Sequence, residues 1–325
     1  MKRPVLATDH VIDECSRCMF LRLLGENSFV CSLCHDGPKE GSNSLLQLSR
    51  THKGLEIIQP KCVGRSGIVN LVAFINELSQ KGEPTRRGLI GFSTGCLHYR
   101  ADIPIVDKLK IFLRSGATVV ELSFGTPKQL FEFSLDEAIK SKLMKFSKIT
   151  VHAPFKEIRY FDDTGNTDEV IIKLKELFDN LPISGFVFHP DTIANFIGLE
   201  VIGLPVLIEN MDRNKKIGIS AEDIAAIKDD YNFGFVLDLQ HAFEHDPSMD
   251  LANEMLQIMG ERLSHLHVSG EFGDHHHIPL HLAQNQEAIG RILKLMPSVP
   301  VILEGVFMGL EPLASAKREL AYLAS

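Results

Sequence analysis

Between residues 88 and 304 the chain repeats one pattern eight times: a short apolar run ending at or near a polar residue, then a stretch with helical periodicity. The runs are Gly88–Ser93, Thr118–Leu122, Lys148–His152, Gly185–His189, Pro205–Glu209, Phe233–Asp238, Leu263–His267 and Val299–Glu304. Helical spacing marks Ile105–Ser115, Glu169–Asn180, Ala221–Asp229 and Asn285–Met296. Strands separated by helices pair in parallel, with the helices packed outside. Eight such units in about 220 residues predict an α/β fold, a (β/α)8 TIM barrel.

Six of the eight runs close on a residue able to bind metal: His152, His189, Glu209, Asp238, His267 and Glu304. The C-terminal strand ends are where barrel enzymes place their chemistry. One histidine ending a strand is ordinarily structural. Six ionisable groups converging on one barrel mouth would be prohibitive to bury without a cation. His241 follows Asp238 by three residues, and the loop after strand seven carries Asp274 and His276 in a run of three histidines. Ten of the 14 histidines fall between 152 and 281.

The N-terminal quarter reads differently. Cys15 and Cys18, then Cys31 and Cys34, form two C-x-x-C pairs twelve residues apart, with a turn expected over Gly25–Ser28. Two such pairs suit one tetrahedral ion, so a structural Zn2+ ribbon is expected, with an iron centre or two disulfides as alternatives. Cys62 and Cys96 lack partners at ligand spacing and read as buried apolar residues. Asp36–Ser49 reads as a loop or linker and Ile68–Leu78 as a short amphipathic helix. Gln80–Arg87 marks the boundary, giving a module over 1–85 and a barrel over 86–325.

The 325-residue length accommodates both units at roughly 100–200 residues per domain. A net charge of −8 argues against non-specific nucleic-acid gripping as the main task. No apolar run approaches the ~20 residues of a membrane helix, and the basic start lacks a signal-like apolar stretch, so a cytoplasmic protein is expected. No glycine-rich phosphate loop points to nucleoside triphosphates.

The residues from about 88 to 310 resemble the xylose-isomerase-like barrels, and among them the endonuclease IV branch. The likeness rests on Val-His152-Ala-Pro, Phe-His189-Pro-Asp, Ile-Glu209-Asn-Met, Leu-Asp238-Leu-Gln-His241, Leu-His267-Val-Ser, Asp274-His-His276 and Leu-Glu304, in order along strands three to eight. The resemblance implies three metal ions: one on His152, His189 and Glu209; a second on Glu209, Asp238, His267 and Glu304; a third on His241, Asp274 and His276. Zn2+, Mn2+ or iron would suit this set. Only six residues separate His267 from Asp274, shorter than in the endonuclease, so His275 with His277 is the substitute pair. Arg159 and Tyr160 are the nearest candidates for a DNA-groove insert and read as surface residues, and the cysteine module is foreign to that branch.

The expected activity is metal-dependent hydrolysis of a phosphoester, small or nucleic-acid, with Glu209 and Glu304 positioning the nucleophile. Arg213 and Lys215 are candidate phosphate contacts, against the plainer reading of a solvated loop. One alternative is a sugar isomerase or epimerase using a single divalent metal, with Glu121 as a candidate base. Others are a multinuclear iron-dependent oxidase and a non-enzymatic scaffold. The cysteine module is a candidate surface for a protein partner.

Overall fold

In the computed structural model the described residues are 21–23, 28–31, 45–51 and 54–59, as backbone strands, and then 89–162, 167–296, 298–307, 309 and 311–324. The chain divides into two compact units, Met1–Thr85 with Met308–Ser315 and Ala324–Ser325, and Arg86–Phe307 with Ala316–Leu323.

In the first unit, strands β1 (Leu21–Leu23), β2 (Ser28–Cys31), β3 (Leu45–Thr51) and β4 (Gly54–Gln59) form an antiparallel sheet in sequence order. Leu21 pairs with Cys31 and Leu23 with Phe29, antiparallel. The loop expected over Asp36–Ser49 is corrected at its end, where Leu45–Ser49 belongs to β3: Leu46 and Leu48 flank polar Gln47, a period of two that pairs with β4. Cys15, Cys18, Cys34, Cys62 and the helix expected over 68–78 lie outside the described residues, as does the side chain of Cys31.

The second unit is a closed barrel of eight parallel strands: β5 (Ile90–Ser93), β6 (Val119–Ser123), β7 (Lys148–His152), β8 (Ile183–Phe188), β9 (Val206–Glu209), β10 (Gly234–Asp238), β11 (Leu263–Val268) and β14 (Val301–Leu303). Strands β12 (Gly270–Phe272) and β13 (His275–Ile278) form a separate hairpin after β11. Around the barrel run α1 (Ile105–Ser115), α2 (Pro127–Glu132), α3 (Glu137–Leu143), α4 (Thr167–Asn180), α5 (Phe196–Glu200), α6 (Ala221–Asp230), α7 (Leu239–His245), α8 (Asp250–Met259), α9 (Gln286–Leu295) and α10 (Pro312–Leu323). The expected TIM barrel is what the chain forms.

Local chemistry sets the boundaries. Helix α1 buries Leu109 and Phe112, three apart on one face, and ends at Gly116, whose φ of 100° a side chain would resist. Ser220 and Asp223 form a reciprocal capping box at the start of α6, worth about 1 kcal/mol. Gly91 lets β5 and β6 approach, since a Cβ there would fall 1.7 Å from the Val119 carbonyl oxygen.

The barrel interior is apolar on one side, where Val187, Leu207 and Val236 pack together, and polar on the other. Contacts between strands that are not neighbours must cross that interior. The Lys148 ammonium, at the start of β7, crosses to the start of β11 and donates to the Ser264 carbonyl and hydroxyl, both at 3.0 Å. It ties the starts of two strands that are not neighbours in the barrel. No helix among the described residues is long and apolar enough to cross a membrane.

Candidate metal centre

Parallel pairing brings the last residues of the strands to one end, and with them the candidate ligands. His152 ends β7, His189 follows β8, Glu209 ends β9, Asp238 ends β10, His267 is the fifth residue of β11 and Glu304 follows β14. Their atoms meet in two of the combinations that the resemblance implies. His152, His189 and Glu209 each offer a ligand atom within 4.8 Å of the others, as do Glu209, Asp238, His267 and Glu304.

In the first group, His152 Nδ1–H donates to the Ala153 carbonyl at 3.0 Å, which turns Nε2 toward Glu209 Oε2 at 3.1 Å. His189 Nε2 stands 3.1 Å from His152 Nε2 and 3.2 Å from the same Glu209 oxygen. Phe155 stacks on the His189 ring with centroids 4.7 Å apart, shielding that side. In the second group, the other oxygen of Glu209, Oε1, is 2.8 Å from His267 Nδ1, and Glu304 Oε2 is 3.5 Å from it. Glu209 thus turns one oxygen to each group.

Asp238 caps α7, its Oδ1 accepting from the amides of Gln240 at 2.7 Å and His241 at 2.9 Å. Buried Asn210, which the sequence reading passed over, clamps its backbone: Asn210 Oδ1 accepts from Asp238 N and Asn210 Nδ2 donates to Asp238 O. Asp238 Oδ2 is fully buried and has no hydrogen-bond partner, as has His189 Nδ1. An orphaned carboxylate oxygen beside two further carboxylates and an imidazole fits a cation, because an uncompensated buried charge costs several kcal/mol.

The third group differs from the expected one. His241 and Asp238 meet His277, not Asp274 and His276. His241 Nδ1–H donates to the Asn210 carbonyl at 2.9 Å, leaving Nε2 for an ion. Asp274 sits with Gly273 in the turn between β12 and β13, exposed to solvent. Because this segment is a hairpin, successive side chains point to opposite faces, so His276 and His277 diverge. His276 Nδ1 lies 3.2 Å from Glu244 and 3.6 Å from Glu271, at the rim.

His277 is held in a left-handed backbone conformation, φ 52°, by Val306, whose amide donates to its carbonyl at 2.8 Å. Gly305 makes that approach possible, since a Cβ there would fall 2.5 Å from Pro279 Cα.

Beneath these groups lies a fourth that the sequence reading did not assemble: Glu121, His265 and His267. Alternation along β11 puts His265 and His267 on the same interior face, a signal available from the sequence. Glu121 is completely buried under the His267 ring, so it is not placed above a substrate as the isomerase reading required.

The electrostatics follow from this crowding. Burial, helped by Glu209 and Asp238 and opposed by His267, lifts the Glu304 carboxyl to about 7. Burial disfavours a charged His241, but Asp238 and Glu209 outweigh it and raise that imidazole to about 9. Burial lowers His189 to about 4, with His152 and His241 adding to the effect against Glu209. Glu209 resists its burial, because His267, His152 and His189 face it, and stays well below the ordinary carboxylate range.

Other candidates fall elsewhere. Tyr160 is buried, its hydroxyl donating to the Pro154 carbonyl at 2.8 Å, which corrects its surface assignment. Arg213 is mostly exposed and lies 3.9 Å from Glu244; Lys215 pairs with Asp191 at 2.7 Å. Cys96 is buried as expected, its thiol donating to the Leu303 carbonyl.

No protein-family description and no curated protein matches the sequence. Solved structures do match the barrel. Endonuclease IV from Thermus thermophilus is 18% identical with a TM-score of 0.52, covering 72% of this chain and 96% of its own. A D-tagatose 3-epimerase-like protein is 16% identical with a TM-score of 0.52, at the same coverage. The probable 3-DHS dehydratase AsbF from Bacillus anthracis is 14% identical with a TM-score of 0.54, covering 74% of this chain and 99% of its own. At these identities the shared property is the eight-stranded barrel, spanning nearly the full length of each relative.

Proposed function

We propose that the chain is a metal-dependent phosphoester hydrolase of the xylose-isomerase-like superfamily, nearest its endonuclease IV branch, with a multinuclear centre at the barrel mouth. One observation carries this reading: Glu209 presents Oε2 to His152 and His189 and Oε1 to His267, so a single carboxylate spans two ligand groups. Asp238 likewise belongs to two groups. Shared carboxylates hold cations at the separation that phosphoryl chemistry uses. Divalent ions bound there would polarise a phosphoryl oxygen and lower the pKa of a water molecule toward neutrality.

The chain's own groups supply the rest. His152 and His241 are oriented through carbonyls, and Asn210 fixes Asp238. Glu304 is the most open carboxylate of the set and, near pH 7, is poised to take or give a proton at Oε2. Phe155 stacks on the His189 ring and fixes its plane.

The test is hydrolysis of an activated phosphodiester and of abasic-site DNA by the zinc- or manganese-loaded full chain, with metal counted in parallel. Glu209→Gln should lose activity and barrel metal together; full turnover by that variant would refute the mechanism. A second reading, a sugar epimerase with one ion, has its own support: Glu209, Asp238, His267 and Glu304 are a complete four-ligand set without the outer groups. Two or three barrel ions favour hydrolysis, one favours epimerisation, and bound iron with oxygen uptake favours an oxidase. One further zinc is assigned to Cys15, Cys18, Cys31 and Cys34, in a module proposed to recruit a protein partner.

A further inference from the structure

Glu121 lies in the middle of β6, and its carboxylate crosses the barrel interior to β11. Glu121 Oε1 is 3.1 Å from His267 Nε2, and Oε2 is 3.3 Å from the same nitrogen and 3.4 Å from His265 Nε2. Thr150 donates its hydroxyl to Oε2 at 2.9 Å. All three ionisable side chains are fully buried. The other nitrogen of His267 faces upward, 2.8 Å from Glu209 Oε1 and 3.5 Å from Glu304 Oε2.

A neutral imidazole carries one proton and one lone pair, and the group facing each nitrogen decides which goes where. An ionised carboxylate can only accept, so in the metal-free protein each nitrogen of His267 holds a proton against its carboxylate. An ion entering beside Glu209, Asp238 and Glu304 would displace the Nδ1 proton while the Nε2 proton stays on Glu121.

We propose that Glu121 is a positioning residue for the metal centre: it accepts the Nε2–H of His267 and thereby commits Nδ1 to the ion held with Glu209, Asp238 and Glu304. Thr150 holds the carboxylate in place through Oε2, which also faces His265 Nε2 at 3.4 Å. A partner that orients a ligating imidazole in this way commonly contributes about 10–100-fold in metal affinity. The inference rests on the barrel metal centre proposed above, but not on the phosphoester.

The experiment uses full-length protein stripped by a chelator and titrated with Zn2+ against a chromophoric competitor. Wild type is compared with Glu121→Gln, and the 15N-histidine spectrum of each loaded protein is recorded. In wild type, His267 should show a protonated Nε2 and a metal-bound Nδ1. Glu121→Gln can donate where glutamate only accepts, so it should weaken one barrel ion by roughly 10–100-fold, leave the other ions in place, and disturb the His267 nitrogen pattern.

Unchanged affinity and spectrum in Glu121→Gln would overturn the proposal. So would an additional ion in wild type lost from both Glu121→Gln and His265→Gln, because Glu121 would then itself be a ligand. If Glu121→Gln does not fold, the wild-type spectrum decides alone: a proton on Nδ1 of His267 and metal on Nε2 overturns the assignment. Absence of any barrel ion in wild type overturns this inference together with the metal centre, whereas normal loading with an indifferent variant overturns this inference only.

Discussion

Glu304 and His241 set how the centre responds to pH. Glu304, raised to about 7, and His241, raised to about 9, hold protons in the metal-free protein that an incoming ion must displace. Between about pH 7 and 9 His241 releases one, so affinity should fall about tenfold for each unit of acidification. Below pH 7 Glu304 adds a second and the dependence should steepen. Titration calorimetry in buffers of different ionisation enthalpy counts these protons directly. A flat zinc affinity from pH 6 to 9 would mean that neither group is a ligand. Asn210 offers a separate test, because Asn210→Ala unclamps Asp238 without touching a metal-facing atom. Zinc affinity in that variant should drop.

The post-β11 hairpin decides which histidine serves the third group. His277→Ala should remove one barrel ion, whereas Asp274→Ala and His276→Ala should leave the metal count unchanged; elemental analysis of the purified variants separates the two arrangements. Gly305→Ala forces a Cβ against the Pro279 backbone and should push the hairpin outward, costing on the order of 1–3 kcal/mol and the same ion. Strand ends were legible because each apolar run stopped at an ionisable residue: His152, Glu209 and Asp238 end their strands just where the sequence breaks. The hairpin was not, since three consecutive histidines give no periodicity and only the turn at Gly273–Asp274 tells which of them faces inward. His265 was legible in principle from its two-residue offset to His267. Glu121 was visible on its strand, but its partner lies across the barrel, a distance that no local pattern encodes.

At the scale of the whole barrel, Glu121, Glu209 and Asp238 are buried and Glu304 nearly so, four carboxylates gathered into one interior. Stability there is tied to occupancy. Chelation should lower the thermal midpoint by several degrees and reloading should restore it, as expected when a ligand binds the native state alone. Scanning calorimetry of the stripped and reloaded chain reads this, and an unchanged midpoint would show that the carboxylates are compensated by other means.

Lys148 ties the start of β7 to the start of β11, and the far ends of the same two strands carry His152 and His267. Loosening that tie, as in Lys148→Met, should therefore be felt at the opposite end of the barrel as a changed spacing between the two imidazoles.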